Sequence, residues 1–114
     1  MSDNCLFCKI IAGGIPATVV YKDAQVTAIR DINPQAPTHI LILPNRHLPA
    51  VSQAQADDLS LLGTLLLVGK QLAEKENLVR GYRLVINEGE DGGQTVAHLH
   101  VHLLGGRGMH WPPG

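Results

Sequence analysis

Aromatic residues are scarce in this 114-residue chain, which has one phenylalanine, one tryptophan and two tyrosines. Its core must therefore be built from aliphatic side chains. Charge of either sign is also scarce: nine Lys and Arg face ten Asp and Glu, a formal net charge of -1. Such a chain carries no field that would gather nucleic acid or an anionic membrane surface, so chemistry on a charged ligand has to be local. No apolar run approaches the roughly 20 residues of a membrane-spanning helix, and Met1-Ser2-Asp3-Asn4 lacks the basic segment and apolar stretch of a secretory signal. A cytoplasmic location is expected. The two cysteines, Cys5 and Cys8, are too few for a disulfide framework, and C-x-x-C in a reducing compartment reads as metal ligation or redox chemistry. There is no internal repeat and no low-complexity segment. The length fits one domain, residues 1–114 with 105–114 as a C-terminal tail, and such a domain buries roughly two thirds of its unfolded surface without staples.

What is present is strongly patterned. Leu6, Phe7, Ile10 and Ile11 recur at helical spacing over residues 4–12, and Gly13-Gly14 ends the run. β-Branched residues dominate 18–21 and 25–30, parted by the turn-forming Lys22-Asp23-Ala24. After the rigid loop Asn33-Pro34-Gln35-Ala36-Pro37 comes a third strand, 38–43, stopped by Pro44. Residues 52–76 hold no proline and space Leu59, Leu62, Leu65, Leu66 and Val68 by threes and fours, predicting one long amphipathic helix. Strands at 82–87 and 97–104 flank a glycine-rich loop, 88–94. This order predicts an α+β domain: a five-stranded antiparallel sheet with one long and one short helix. The tail Met109-His110-Trp111-Pro112-Pro113-Gly114 can be neither helix nor strand, and its tryptophan is expected to dock on its own subunit or on a second one.

The most pointed pattern is His98-Leu99-His100-Val101-His102-Leu103-Leu104. On an extended strand, alternation puts three imidazoles on one face and the aliphatic residues on the other. Neighbouring imidazoles then share one metal ion or one phosphorus centre, and imidazole titrates near neutrality. A neutral imidazole at the central His100 can attack phosphorus, and the phosphoryl-imidazole is labile enough for water to finish the reaction. That role requires the other ring nitrogen to donate to a fixed acceptor, for which the His98 carbonyl is in reach. His102 is placed to contact the phosphate or stabilise its transition-state charge. The loop Gly89-Glu90-Asp91-Gly92-Gly93-Gln94-Thr95 ends just before, its glycines permitting close backbone approach to an oxyanion and Gln94 and Thr95 offering uncharged donors. Other readings stand beside these. The three histidines could hold a catalytic zinc, Asp31 has the chemistry of a turn cap, and His39, on an apolar strand, that of a satisfied core histidine.

The pattern His98-x-His100-x-His102-x-x, with apolar x, resembles the signature of the histidine-triad superfamily of nucleotide hydrolases and transferases. Asp31-Ile32-Asn33-Pro34-Gln35-Ala36-Pro37-Thr38-His39, Gly81-Tyr82-Arg83, Asn87-Glu88-Gly89, Gly92-Gly93-Gln94, Leu104-Gly105-Gly106-Arg107 and Trp111-Pro112-Pro113-Gly114 resemble its branch of histidine-triad nucleotide-binding proteins. The resemblance spans essentially the whole chain. It implies a HIT-like fold, a homodimer, and a purine nucleoside phosphoramidase that converts adenosine 5′-phosphoramidate and aminoacyl adenylates to AMP. It also implies a nucleotidyl-histidine on His100, support from His98 and His102, and His39 as a proton-relay or orienting residue. Asp31 would accept the ribose hydroxyls, Asn87, Gly93, Gln94 and Thr95 would line the phosphate, and Phe7, Ile10 and Ile32 would flank the purine. Thr95 stands where relatives often carry serine. By resemblance to some bacterial members and to the related nucleotidyltransferases, Cys5, Cys8, His47 and His98 would hold a structural zinc, with no metal in the chemical step. The neighbouring fragile-histidine branch, which hydrolyses dinucleoside polyphosphates, shares the triad, but Leu104-Gly105-Gly106 and the Trp111 tail resemble the phosphoramidase branch better. A nucleotide-binding or interaction module with little turnover is the non-enzymatic alternative. No nucleic-acid or membrane partner is expected.

Overall fold

The computed structural model describes residues 4–114. Its elements run α1 (Leu6–Ile11), β1 (Val19–Lys22), β2 (Val26–Arg30), β3 (Thr38–Pro44), two short 3-10 turns (Val51–Gln53 and Ala56–Asp58), α2 (Leu59–Lys75), β4 (Tyr82–Ile86) and β5 (Val101–Gly105). The strands form the expected five-stranded antiparallel sheet, in the order β1-β2-β3-β5-β4. No described helix is long and apolar enough to cross a membrane.

Strand alternation gives each face of the sheet its own cover. Val26, Ala28, Ile40, Ile42, Leu99, Val101 and Leu103 point to one side, where Leu65, Val68, Leu72 and Ala73 of α2 complete the main core. Ile29, Leu41 and Leu43 point to the other, against Cys5 and Phe7 of the α1 segment. Both faces of β3 are thus covered, and all seven of its residues are buried. Close approach of α2 depends on Gly69, where a Cβ would lie 3.0 Å from Leu84 and 3.1 Å from Ile42.

Two element boundaries differ from expectation. The long helix starts at Leu59 and not at Ser52, because Ala54 is extended and the chain ahead of the helix folds into the two 3-10 turns. A reciprocal cap between Gln55 and Asp58 closes the second turn, and Asp58 is also paired with Arg46. The histidine strand starts at Val101 and not at Ala97: its ladders with β3 and with β4 both end there, at Ile42 and Ile86. Leu99 donates instead to the Leu48 carbonyl at 2.6 Å, and His98 N–H to Val96 O at 2.9 Å. The alternation of faces persists without the ladder, since Leu99, Val101 and Leu103 all enter the α2 core. Leu103, fully buried on a central strand, sets the first prediction: Leu103→Ala lowers unfolding free energy by about 2–5 kcal/mol in a urea titration.

Candidate functional site

The reactive side of the sheet is built outward from His98, which is fully buried. Its Nε2 lies 2.8 Å from the Pro44 carbonyl, which can only accept, so the proton belongs on Nε2 and Nδ1 carries a lone pair. Burial holds this imidazole below its ordinary pKa, opposed by the Pro44 contact. The His98 carbonyl in turn accepts from His100 Nδ1 at 2.7 Å. That contact puts the His100 proton on Nδ1 and leaves Nε2 unprotonated. The ring centroids of His100 and His102 are 4.9 Å apart, in an edge-to-face arrangement.

The Nδ1 lone pair of His98 faces a cluster. Cys5 Sγ lies 3.3 Å from it, Cys8 Sγ 3.5 Å and His47 Nδ1 3.3 Å, while Cys8 Sγ and His47 Nδ1 are 3.3 Å apart. A tetrahedral zinc, about 2.0 Å from nitrogen and 2.3 Å from sulfur, requires ligand–ligand edges of roughly 3.3–3.8 Å. The four side chains fit that polyhedron in distance and in chemistry, two thiols and two imidazole nitrogens converging on one point. Local folding explains the approach: Cys5 caps α1, its Sγ accepting from Cys8 N–H at 3.4 Å, which brings both sulfurs to one end of the helix.

A second set, Asp31, His39 and His102, also gathers its ligand atoms, but its hydrogen bonds oppose a metal. Gln35 N–H donates to His39 Nδ1 at 3.0 Å, so the His39 proton sits on Nε2, from where it is given to His102 Nδ1 at 2.9 Å. A metal at His39 Nε2 would push that proton onto Nδ1, against a backbone N–H that cannot reverse. The set is a relay that leaves His102 with its proton on Nε2. Burial lowers the pKa of His39, against the opposing pull of Asp31 3.5 Å away. Burial, aided by His100 and His39, takes His102 down to about 4. Both rings are neutral at neutral pH.

The other residues singled out from sequence are distributed unevenly. Asp31 caps its turn, as its position suggested, Oδ1 accepting from Asn33 N–H at 2.8 Å, while Oδ2 faces His39. Asn87 Nδ2 donates to Gly92 O at 2.7 Å, holding the glycine loop shut, and a Cβ at Gly92 would lie 2.1 Å from the Glu88 carbonyl. Gly93 takes φ +79°, and Thr95 is exposed. Gln94 departs from expectation: its Nε2 donates to Pro49 O and Val96 O and its Oε1 accepts from Gly89 N–H, so the amide braces the loop and offers no free donor. Phe7 is a core residue, buried with its ring 5.1 Å from His100 and 5.8 Å from His98, both edge-on, and so backs the imidazoles. Ile10 is half-buried and Ile32 is 99% exposed. Trp111 does not dock on its own subunit: it is 85% exposed, while Arg83 donates to the carbonyls of His110 and Pro113 and holds only the tail's backbone. The groups that sequence reasoning missed, Pro44 O and Gln35 N–H, are backbone atoms with no side-chain signature.

Comparison with known proteins agrees with this arrangement of fold and histidines. The chain matches the HIT domain model over residues 12–109 and belongs to that histidine-triad family. It is 56% identical over 111 residues to a 14 kDa zinc-binding protein of Zea mays, covering 96% of this chain and 87% of that one. An uncharacterized HIT-like protein of Synechococcus elongatus is 53% identical over 114 residues, the full length of both. The crystal structure of a HIT family hydrolase from Legionella pneumophila superposes with a TM-score of 0.95 at 55% identity, covering 97% of this chain and all of that one.

The depressed pKa of His102 has a consequence for stability. An unfolded histidine takes up its proton below about 6.5, whereas folded His102 does so only near 4. Acid therefore favours the unfolded chain across that window, and the stabilisation present above pH 6.5 is lost as the pH falls toward 4. His102→Gln, which cannot titrate, is expected to lose less stability than the parent between pH 7 and pH 4.5 in parallel urea titrations. Equal losses would contradict a neutral, half-buried His102.

Proposed function

We propose that this protein is a purine nucleoside phosphoramidase, hydrolysing adenosine 5′-phosphoramidate and aminoacyl-adenylate-type bonds to AMP through a nucleotidyl-histidine on His100. The observation that carries this reading is the 2.7 Å contact of His100 Nδ1 with the His98 carbonyl, which fixes the ring with a proton on Nδ1 and turns Nε2 out as the nucleophile. In the first step Nε2 bonds to phosphorus, the P–N bond breaks, and the amine leaves with a proton from solvent. In the second, water bonds to phosphorus, the P–Nε2 bond breaks, and a water proton returns to solvent. His102, neutral and with its proton on Nε2, donates to a phosphoryl oxygen as charge develops there. His39 orients His102. Asp31 accepts from the ribose, Asn87, Gly93 and Thr95 shape the phosphate loop with Gln94 as its brace, and Ile10 and Ile32 flank the purine.

Cys5, Cys8, His47 and His98 hold a structural zinc in this reading, as the name of the maize relative and the edge lengths of the cluster support. Its chemistry is cross-linking: it ties α1 to the segment that carries His100. The single domain spans 1–114, and its two cysteines, which form no disulfide, suit the cytoplasm. A homodimer is supported by β4, an edge strand with Tyr82 40% and Ile86 39% exposed, by Leu66 and Leu67 on the outer side of α2, and by a tryptophan held out on a fixed tail.

Mixing the protein with a purine phosphoramidate should give an AMP adduct on His100 in mass spectrometry. His100→Asn should abolish AMP release, by at least about 10⁴-fold as expected for loss of a nucleophile, while AMP binding persists. Retained turnover would refute the assignment, and faster turnover of diadenosine triphosphate would favour the fragile-histidine chemistry. Protein purified without tag or chelator should contain one zinc per chain. Its removal should lower the melting temperature by roughly 10–20 °C, the equivalent of about 3 kcal/mol in a domain of this size.

A further inference from the structure

The relay that orients His102 begins outside the group of residues assigned above. Gln35 N–H fixes the tautomer of His39, and the Gln35 backbone is held from its other side by Arg107, whose Nε donates to the Gln35 carbonyl at 3.0 Å. Arg107 follows β5, the strand that bears His102, and its Nη1 folds back to donate to Gly108 O at 3.1 Å, which fixes the guanidinium on the turn. That turn is seated against the same loop. Gly106 adopts φ +91°, and a Cβ there would lie 2.9 Å from Pro37. The loop's other bonds are Asn33 N–H to Asp31, the Gln35 side chain to Asn33 O, and Asp31 N–H to the His39 carbonyl at 3.0 Å, and none of these three runs to β5. Arg107 is the group that ties the Gln35 backbone to the β5 side of the site.

We infer that Arg107 is a positioning residue for the reaction, holding Gln35 N–H on His39 and thereby setting the direction of the hydrogen bond that His102 offers to substrate. The inference deepens the reading of His100 and His102 as the reacting pair and rests on it. The chemistry is directional. With Gln35 N–H in place, His39 carries its proton on Nε2, donates to His102 Nδ1, and leaves His102 a donor at Nε2. If the N–H drifts away, His39 is free to carry its proton on Nδ1. Its bare Nε2 then faces the lone pair of His102 Nδ1 and the Asp31 carboxylate, 2.9 and 3.5 Å away. That repulsion is relieved when the His102 proton moves from Nε2 to Nδ1. His102 then presents an acceptor to the phosphate where it had presented a donor, with no change in net charge or in the residues lining the site.

Arg107 is exposed and outside both cores, so Arg107→Ala should fold. In two-bond ¹H–¹⁵N spectra of the full chain, the parent should show His39 and His102 each as a single Nε2-protonated tautomer. In Arg107→Ala both should move toward a mixture. With a purine phosphoramidate, kcat should fall by up to about 10-fold, the low end of the range for loss of a directly bonded orienting partner, because Arg107 acts through Gln35 and His39, while the Kd for AMP stays within about twofold. Arg107→Lys, which keeps one donor for the Gln35 carbonyl, should recover most of both effects. Unchanged His39 and His102 nitrogen signals in folded Arg107→Ala would overturn the inference. Absence of turnover in the parent would instead refute the proposed activity, and the nitrogen signals would still decide the link from Arg107 to the histidines.

Discussion

His98 is fastened at every polar atom it has. Its ring donates to Pro44 O, its Nδ1 lone pair meets two sulfurs and a second imidazole, its N–H donates to Val96 O, and its carbonyl accepts from His100. A fully buried imidazole left short of partners costs about 1–3 kcal/mol per unmet group, so full use of these atoms is what permits the residue to be buried at all. Because one residue supplies both the cluster nitrogen and the carbonyl that orients His100, the two halves of the site cannot move independently. Phe7 reinforces the link: it sits between Cys5 and Cys8 in sequence and packs edge-on to both His98 and His100.

The tautomers of the site are set largely by the main chain. Pro44 O, His98 O and Gln35 N–H assign the protons of His98, His100 and His39 in turn, and only His102 depends on another side chain. A peptide group neither titrates nor reverses its polarity, so these assignments hold across the pH range in which the rings stay neutral. A carboxylate in the same place would have drawn the imidazoles toward the charged form. Among the described residues the carboxylate beside the relay is Asp31, which is partly engaged in capping its own turn, and burial outweighs its pull on both His39 and His102.

Much of this was legible in the residues. The alternation of Leu99, Val101 and Leu103 with the histidines reads correctly as two faces, because side-chain direction follows from an extended backbone whether or not a ladder accompanies it. The ladder itself was not legible: its end at Val101 is set by pairing with β3 and β4, partners distant in sequence. The 3-10 turns ahead of α2 escaped for a related reason, since residues three apart share a face in either kind of helix and apolar spacing alone does not separate them. Gln94 and Phe7 show a different limit. Residue type tells what a side chain can offer, and only the fold shows that the Gln94 amide is already satisfied and that the Phe7 ring is enclosed.

The neutrality of the site bears on how it could discriminate between substrate and transition state. A cationic imidazole would attract a nucleotide phosphate at every stage, strengthening ground-state binding as much as the reaction itself. In the proposed reaction, a neutral N–H at His102 interacts weakly with a phosphate oxygen at rest and more strongly as charge redistributes over the phosphoryl group. Burial, by holding His102 near 4, is then the means by which the fold keeps that donor uncharged. His39 holds the proton of the partly buried His102 at Nε2 from behind, through its own Nε2–H donated to His102 Nδ1. Desolvation and the relay are therefore one device: the first keeps the ring neutral, and the second decides which of its nitrogens faces the phosphate.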